Sequence, residues 1–261
     1  AVTGVQTCAL PIYGRMHDTC RFLNSKSSQM ITKPKVIAFD IFGTVVDWHG
    51  SVADEVKSLN LPVDANAFAT AWRKGYQPAM ARVRSGELPW TKIDDLHRMI
   101  LNGILEDFAI TTLSESEKHH LNLVWHRLNP WPDSVQGLTQ LKNKFTIVTL
   151  SNGNLSLLAN MAKFGSLPWD LILSAEVFKH YKPDPETYLG VAEVFDLQPH
   201  EVMLAAAHKD DLLAAHHCGL QTAFIERPFE FGPGDIRQDL QQESFTHYHA
   251  KDIIDLASQL A

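Results

Sequence analysis

Four apolar runs in this chain each end in polar groups that, brought together, could carry out nucleophilic chemistry on an anion. KVIAFD stops at Asp40, with Thr44 close behind; FTIVTLSNG ends in Ser151 and Asn152; LILSAE leads to Lys182 in HYKPDPETY; VMLAAAH gives way to His208, Asp210 and Asp211. A carboxylate, a hydroxyl–amide pair, an ammonium and a second carboxylate in one place can bind an anion, attack it covalently and position a water. Taken singly, each has an ordinary explanation. Asp40 can cap a turn, Ser151-Asn152-Gly153 can form one, and Lys182 before Pro183 can be a solvated loop residue. The case rests on convergence, and convergence depends on the fold.

The apolar runs are short and rich in Val, Ile and Phe, which suits strands buried on both faces of a parallel sheet. A fifth run, TAFIE, follows at 222–226. Helical patterns lie between them: LSLLANMAKF, PETYLGVAEVF and DLLAAHHCGL. Strands alternating with helices imply βαβ units and a doubly wound, Rossmann-like α/β core, in which ligands bind beyond the carboxyl ends of the strands. The polar residues named above fall at those ends.

Residues 50–130 break the alternation. VADEVKSL, ANAFATAWRKGYQPAMARVRSG, TKIDDLHRMILNGILEDF and SESEKHHLNLVWHRL all read as helix. In the third, Ile93, Leu96, Ile100 and Ile104 recur at helical spacing, and Ser114 with Glu117 opens the fourth as a capping box. This block reads as a helical cap inserted into a core made of 34–49 and 131–261. Residues 1–33 read as a tail outside the fold, with Ala1 to about Gln29 expected to be poorly ordered or non-native. The pairs His119-His120 and His216-His217 read as surface, because adjacent helical residues diverge. Trp90 and Trp131, near the cap–core junctions, are candidates to line a pocket, with core packing as the default.

The segments AFDIFGTVVD, TLSNGN, YKPDPETY and AAHKDDLLAAHHCGL resemble, in content and order, the four motifs of the haloacid dehalogenase superfamily. The resemblance extends over roughly residues 34–260. Most phosphatases of that superfamily carry D-x-D-G-T, the second Asp serving as general acid for a leaving alcohol; here Phe42 stands in its place. An aromatic residue there resembles the 2-haloacid dehalogenase branch. A departing halide needs no proton, whereas an apolar ring can wall a halogen pocket. That branch also has a cap arginine, matched by Arg73 in AWRKGYQ.

The resemblance implies hydrolysis of a short 2-haloacid through an aspartyl ester, with no cofactor and no metal. Asp40 displaces halide, Arg73 stabilises the departing halide, and Lys182 keeps Asp40 ionised. Thr44, Ser151, Asn152 and Lys182 hold the substrate carboxylate or the reacting carboxylates, and Asp211 positions water. Asp210 competes for that last role, but the spacing to Cys218-Gly219-Leu220 favours Asp211. Tyr188 matches a tyrosine near the family's site. Where the family often has Ser and Asn before the last motif Asp, this chain has Ala206 and His208; His208 is expected to orient the water or Asp211. The alternatives are a Mg²⁺-dependent phosphatase, with metal on Asp40 and Asp210 or Asp211, and a silent binding protein on the same scaffold.

Composition narrows the partners. A net charge of −7 without a basic cluster gives no general attraction to nucleic acid or anionic lipid. Three cysteines without a C-x-x-C suit neither a disulfide framework nor a zinc site, and a reducing cytoplasm is expected. No apolar run approaches a membrane span. The expected partner is a small haloacid, with a homodimer left open.

Overall fold

The computed structural model describes residues 33–261; the expectation of a poorly ordered tail therefore falls almost wholly outside the described residues. Strand β1 (Val36–Phe39) is followed by β2 (Val46–Asp47), five helices and β3 (Asn129–Pro130). The helices are α1 (Trp48–Ser58), α2 (Ala65–Lys74), α3 (Tyr76–Arg84), α4 (Ile93–Asp107) and α5 (Glu115–Asn122), the last continuing into a 3₁₀ turn over Leu123–His126. Then come α6 (Ser134–Lys142), β4 (Thr146–Ser151), α7 (Leu155–Phe164), β5 (Leu171–Ser174), α8 (Ala175–Phe178) and α9 (Pro185–Val194). The chain closes with β6 (Val202–Ala206), α10 (Lys209–His217), β7 (Gln221–Ile225), β8 (Tyr248–Ala250) and α11 (Ile253–Gln259).

Six strands form one parallel sheet in the order β5-β4-β1-β6-β7-β8. Alternate residues of each central strand enter different cores, as a period of two requires. Ile37 and Phe39 of β1, with Met203 and Ala205 of β6, face one apolar cluster; Val36, Ala38, Val202 and Leu204 face the other. Both faces are covered, which explains why these strands read as continuous apolar runs. The chain runs outward from β1 through β4 to β5, then returns to β6 on the other side of β1. The switch point lies between β1 and β6, so Asp40 emerges at the place where such sheets form a crevice.

The five helices after β2 form a helical cap on this α/β core. The chain leaves and re-enters the core through two paired segments, with Val46 opposite Pro130 and Asp47 opposite Asn129 in antiparallel register. Asp47 then caps α1 by accepting from the Gly50 amide at 2.8 Å. The Ser114–Glu117 capping box forms as expected. One expected helix is divided. The run from Ala65 breaks at Gly75 into α2 and α3, because Pro78 cannot donate to the Lys74 carbonyl and its ring would clash there. Gly75 also sits where a side chain would strike Ile100, at 2.4 Å. Across the break the Arg73 guanidinium lies over the Tyr76 ring.

Strands β2, β3 and β8 were not expected from the sequence; two have only two residues, and β8 follows a long irregular segment. Among the described residues no helix is long and apolar enough to cross a membrane.

Candidate active site

Asp40 follows β1 directly and is nearly enclosed, with 6% of its surface exposed. Three donors meet its carboxylate. Thr44 Oγ1 donates to Oδ2 at 2.7 Å, the Lys182 ammonium donates to Oδ1 at 2.9 Å, and His208 Nδ1 faces Oδ2 at 3.0 Å. The Thr44 hydroxyl accepts from the Ala207 amide at 2.9 Å, which leaves its proton for Asp40. Lys182 also donates to Asp211 Oδ2 at 2.5 Å, and the Tyr188 hydroxyl donates to Asp211 Oδ1 at 2.6 Å. In the other direction, His208 Nε2 faces Glu230 Oε1 at 2.8 Å, and Glu230 Oε2 accepts from Arg237 at 2.9 Å.

Asp211, Lys182, Asp40, His208, Glu230 and Arg237 thus form a chain of alternating sign. Charge-assisted hydrogen bonds contribute about 1.5–3 kcal/mol each, so three donors can offset the several kcal/mol it costs to bury one carboxylate. His208 has a carboxylate at each ring nitrogen. A neutral imidazole donates from one nitrogen only, so this geometry selects the imidazolium.

The titration of each group follows. Burial alone would raise the Asp40 pKa, but Lys182 and His208 outweigh it and hold the carboxyl far below the ordinary range. Burial would lower His208, yet Glu230 and Asp40 push it up to about 10. Burial raises Asp211 and the Asp40 charge adds to this, while Lys182 opposes; the net direction is upward. Two buried carboxylates therefore diverge, one kept anionic and one made a better proton acceptor, as a nucleophile and a base require.

Loops place these groups. Gly43 has φ +85°, and a Cβ there would lie 2.2 Å from Glu230 Oε1, so glycine alone lets the glutamate approach. Lys182 is fixed through its backbone, whose N–H donates to Asn152 Oδ1 at 2.8 Å. Arg227 donates to the Thr44 carbonyl at 2.8 Å while its guanidinium forks onto Asp133, holding the β1 loop from below.

A cavity of about 380 Å³ opens above Asp40, lined by Phe42, Arg73, Tyr76, Asn152, Lys182 and Tyr188 among others. Its cap side is aromatic. Phe42 meets Tyr76, His97 and Trp125 edge-on, and His97 stacks on Trp125 with centroids 4.3 Å apart. Burial, with Arg73 adding to it against Asp94, brings His97 down to about 3, so it stays neutral. The Arg73 guanidinium lies 4.5 Å from the Tyr76 ring and 5.5 Å from the Trp48 ring. Its Nη1 is buried with no hydrogen-bond partner among the described residues. Arg73 is thus a cation in excess of the alternating chain, at a cavity that suits an anion.

Asp40, Phe42, Arg73, Asn152, Lys182, Tyr188, His208 and Asp211 all line this cavity, and Thr44 lies beneath it on Asp40. Asp210 reaches the rim but is exposed, whereas Asp211 is buried on Lys182 and Tyr188. Ser151 is placed otherwise than expected. Its hydroxyl accepts from the Gly153 amide at 3.1 Å and shapes the turn, with no surface exposed for a substrate. His208 likewise meets Asp40 and Glu230, not Asp211, since its ring is held between those two carboxylates. Trp90 stacks on Tyr181, and Trp131 donates to the Gly43 carbonyl at 2.9 Å; neither lines the cavity. Glu230, Arg237, Tyr76, His97 and Trp125 lie outside the four motifs and are visible only in the structure.

The donor set does not suit a divalent cation. All four carboxylate oxygens of Asp40 and Asp211 accept from protein donors, and two of those donors, Lys182 and His208, are cations that would repel a metal.

Residues 34–219 match the family model of the haloacid dehalogenase-like hydrolases. The chain is 30% identical to (S)-2-haloacid dehalogenase 4A of Burkholderia cepacia over 78% of this chain and 90% of that protein. Among solved structures it is similar to the L-2-haloacid dehalogenase PA0810, with 44% identity, a TM-score of 0.83, and coverage of 88% of this chain and 100% of that one. It is also similar to the defluorinating L-2-haloacid dehalogenase Rha0230, with 47% identity, a TM-score of 0.83, and coverage of 87% and 95%.

The charge on His208 has a consequence for stability. Its pKa rises from about 6.5 when unfolded to about 10 when folded. The stabilisation it provides is complete below about pH 6.5 and disappears as pH rises toward about 10. Thermal unfolding of the wild type should therefore shift to lower temperature between pH 7 and 10, and His208→Asn should flatten that decline. A variant with the wild-type slope would contradict a charged His208.

Proposed function

This chain belongs to the haloacid dehalogenase-like hydrolases, and we propose that within this family it removes halide from short 2-haloacids by hydrolysis, giving 2-hydroxyacids. It is a hydrolase acting on carbon–halide bonds. The observation that carries this reading is the pairing, across an aromatic cavity, of an ionised, immobilised Asp40 with an Arg73 whose Nη1 has no hydrogen-bond partner among the described residues, with Phe42 where an acid would be needed for an alcohol leaving group.

The substrate enters as an anion and is drawn to the surplus positive charge of Arg73. Asn152 and Lys182 face the cavity on the core side and hold the substrate carboxylate. Asp40 attacks the α-carbon in line with the carbon–halogen bond, forming an ester and releasing halide beside Arg73. The guanidinium stabilises that charge as it develops, and no proton is required. Asp211, raised in pKa and aligned by Lys182 and Tyr188, takes a proton from water as it attacks the ester carbonyl carbon. Tyr188 keeps its proton throughout, since burial and the adjacent Asp211 raise its pKa. The overpopulated donor shell around Asp40 and Asp211 disfavours the Mg²⁺-dependent phosphatase alternative.

Halide release separates these readings. Chloroacetate and (S)-2-chloropropionate should yield chloride in the presence of EDTA at the untreated rate, and p-nitrophenyl phosphate should not be cleaved. Phosphatase activity restored by Mg²⁺, with no halide release from either haloacid, would overturn the proposal.

Arg73 gives a second test. Lysine keeps the charge but loses the planar fork. Arg73→Lys should lower kcat on the order of 10- to 100-fold, with a smaller rise in KM, because the interaction strengthens as halide departs. A change confined to KM would make Arg73 a binding group only.

A further inference from the structure

Glu230 belongs to none of the sequence motifs, yet it is completely buried within two side chains of the nucleophile. It accepts from His208 at 2.8 Å, from Arg237 at 2.9 Å and from the Trp48 indole at 3.3 Å. Arg237 is itself fixed, donating to the Ala207 carbonyl at 2.8 Å and pairing with Asp239. A carboxylate gripped this firmly, against a glycine that makes room for it, is a built feature.

The lone pairs of Asp40 indicate what it serves. Oδ2 accepts from both Thr44 and His208, while Oδ1 accepts from Lys182 alone and keeps one lone pair free of any donor among the described residues. Oδ1 is thus the oxygen available to attack carbon, and Oδ2 remains the carbonyl oxygen of the ester. When water adds to the ester carbonyl carbon, the π electrons move onto Oδ2 and Asp211 takes the water proton. Collapse breaks the bond to Oδ1, which leaves with the hydroxyacid and recovers a proton from Asp211, and the newly added hydroxyl loses its proton to solvent, restoring the Asp40 carboxylate. Negative charge therefore accumulates transiently on the atom that Thr44 and His208 already face.

We propose that Glu230 is a positioning residue that keeps His208 an imidazolium through the ester intermediate, so that His208 and Thr44 together bind the oxyanion formed during ester hydrolysis. The inference rests on the haloacid reading above. Its logic lies in the change of charge during turnover. In the resting enzyme two carboxylates face His208; once Asp40 is esterified it is neutral, and Glu230 is the one that remains. Lys182, Arg73 and Arg237 surround the site and favour the neutral ring. The nearer charges of α10, Lys209 and Asp210, and those across a second cavity, Asp235 and Asp239, are exposed or partly exposed, and solvent screens them. Without Glu230 the ring would lose its second proton when it is needed.

The test follows both chemical steps in the whole protein with (S)-2-chloropropionate at pH 8. Glu230→Gln retains size and hydrogen bonding but removes the charge. It should release the first equivalent of chloride at a rate within about threefold of wild type, then hydrolyse the ester about 10- to 100-fold more slowly. The covalent adduct on Asp40 should accumulate, visible as a mass increase of the intact protein. Ring ¹⁵N NMR should show His208 as imidazolium in the wild type and neutral in the Glu230→Gln ester. His208→Asn, which leaves a neutral donor, should accumulate the same adduct and serves if Glu230→Gln does not fold. Equal slowing of both steps in the folded variants, or a neutral His208 in the wild type at pH 8, would overturn the assignment. Absence of chloride release from the wild type would instead remove the haloacid reading, and this inference with it.

Discussion

A carboxylate that is to attack carbon must be ionised, poorly solvated and held still. Bringing one out of water costs several kcal/mol, and in this molecule Lys182 is the group that meets much of that cost. Its ammonium spans Asp40 and Asp211, and much of the site geometry follows from that bridge. The two carboxylates sit on neighbouring strand ends, β1 and β6, and the lysine arrives from the far side of β4, anchored through its own backbone on Asn152. A sheet in another strand order would not bring these three ends together. The division of labour between the carboxylates follows from what lies beyond the bridge: a second cation, His208, on the Asp40 side, and a phenol, Tyr188, on the Asp211 side.

In the proposed reaction, specificity comes from the opposite wall. The cap contributes rings and two arginines, Arg73 and Arg84, the latter donating to the Lys182 carbonyl, while the core contributes Asp40, Lys182, His208 and Asp211, already paired among themselves. A small anion entering the cavity meets Arg73, whose Nη1 has no hydrogen-bond partner among the described residues and whose stacking against Tyr76 limits its freedom. Phe42 is at the boundary, belonging to the catalytic loop by sequence and to the aromatic wall by contact. A carboxyl group at that position would be useful to a leaving alkoxide and an electrostatic hindrance to a leaving halide. In the proposed reaction the aromatic residue thus bears on the chemistry as well as shaping the cavity.

Much of this was legible in the sequence because it is local. Strands buried on both faces leave continuous apolar runs, and candidate catalytic groups at their carboxyl ends leave polar residues in fixed places. Asp40, Lys182 and Asp211 could be picked out this way. The break at Gly75 was legible in principle, since Pro78 forbids a continuous helix, although the apolar spacing alone suggested one. Ser151 shows the limit: a hydroxyl at a strand end looks the same in sequence whether it faces a cavity or closes its own turn. Glu230 and Arg237 could not be found, because they lie in an irregular segment without periodicity. Their importance arises from a contact with His208, 22 positions from Glu230. The same holds for His97 and Trp125, which read as ordinary core positions of helical segments.

The central claim is that Asp40 itself bonds to carbon, and steady-state rates cannot distinguish this from direct attack by an activated water. Oxygen bookkeeping can. In a single turnover in ¹⁸O-water with enzyme in excess, the hydroxyacid should be almost unlabelled and the peptide containing Asp40 should carry the isotope, because one carboxylate oxygen leaves with the product and water replaces it. Over later turnovers the label should pass into product. Hydroxyacid labelled in the first turnover, with Asp40 unlabelled, would contradict the covalent route and with it the roles given to Lys182, Asp211 and His208.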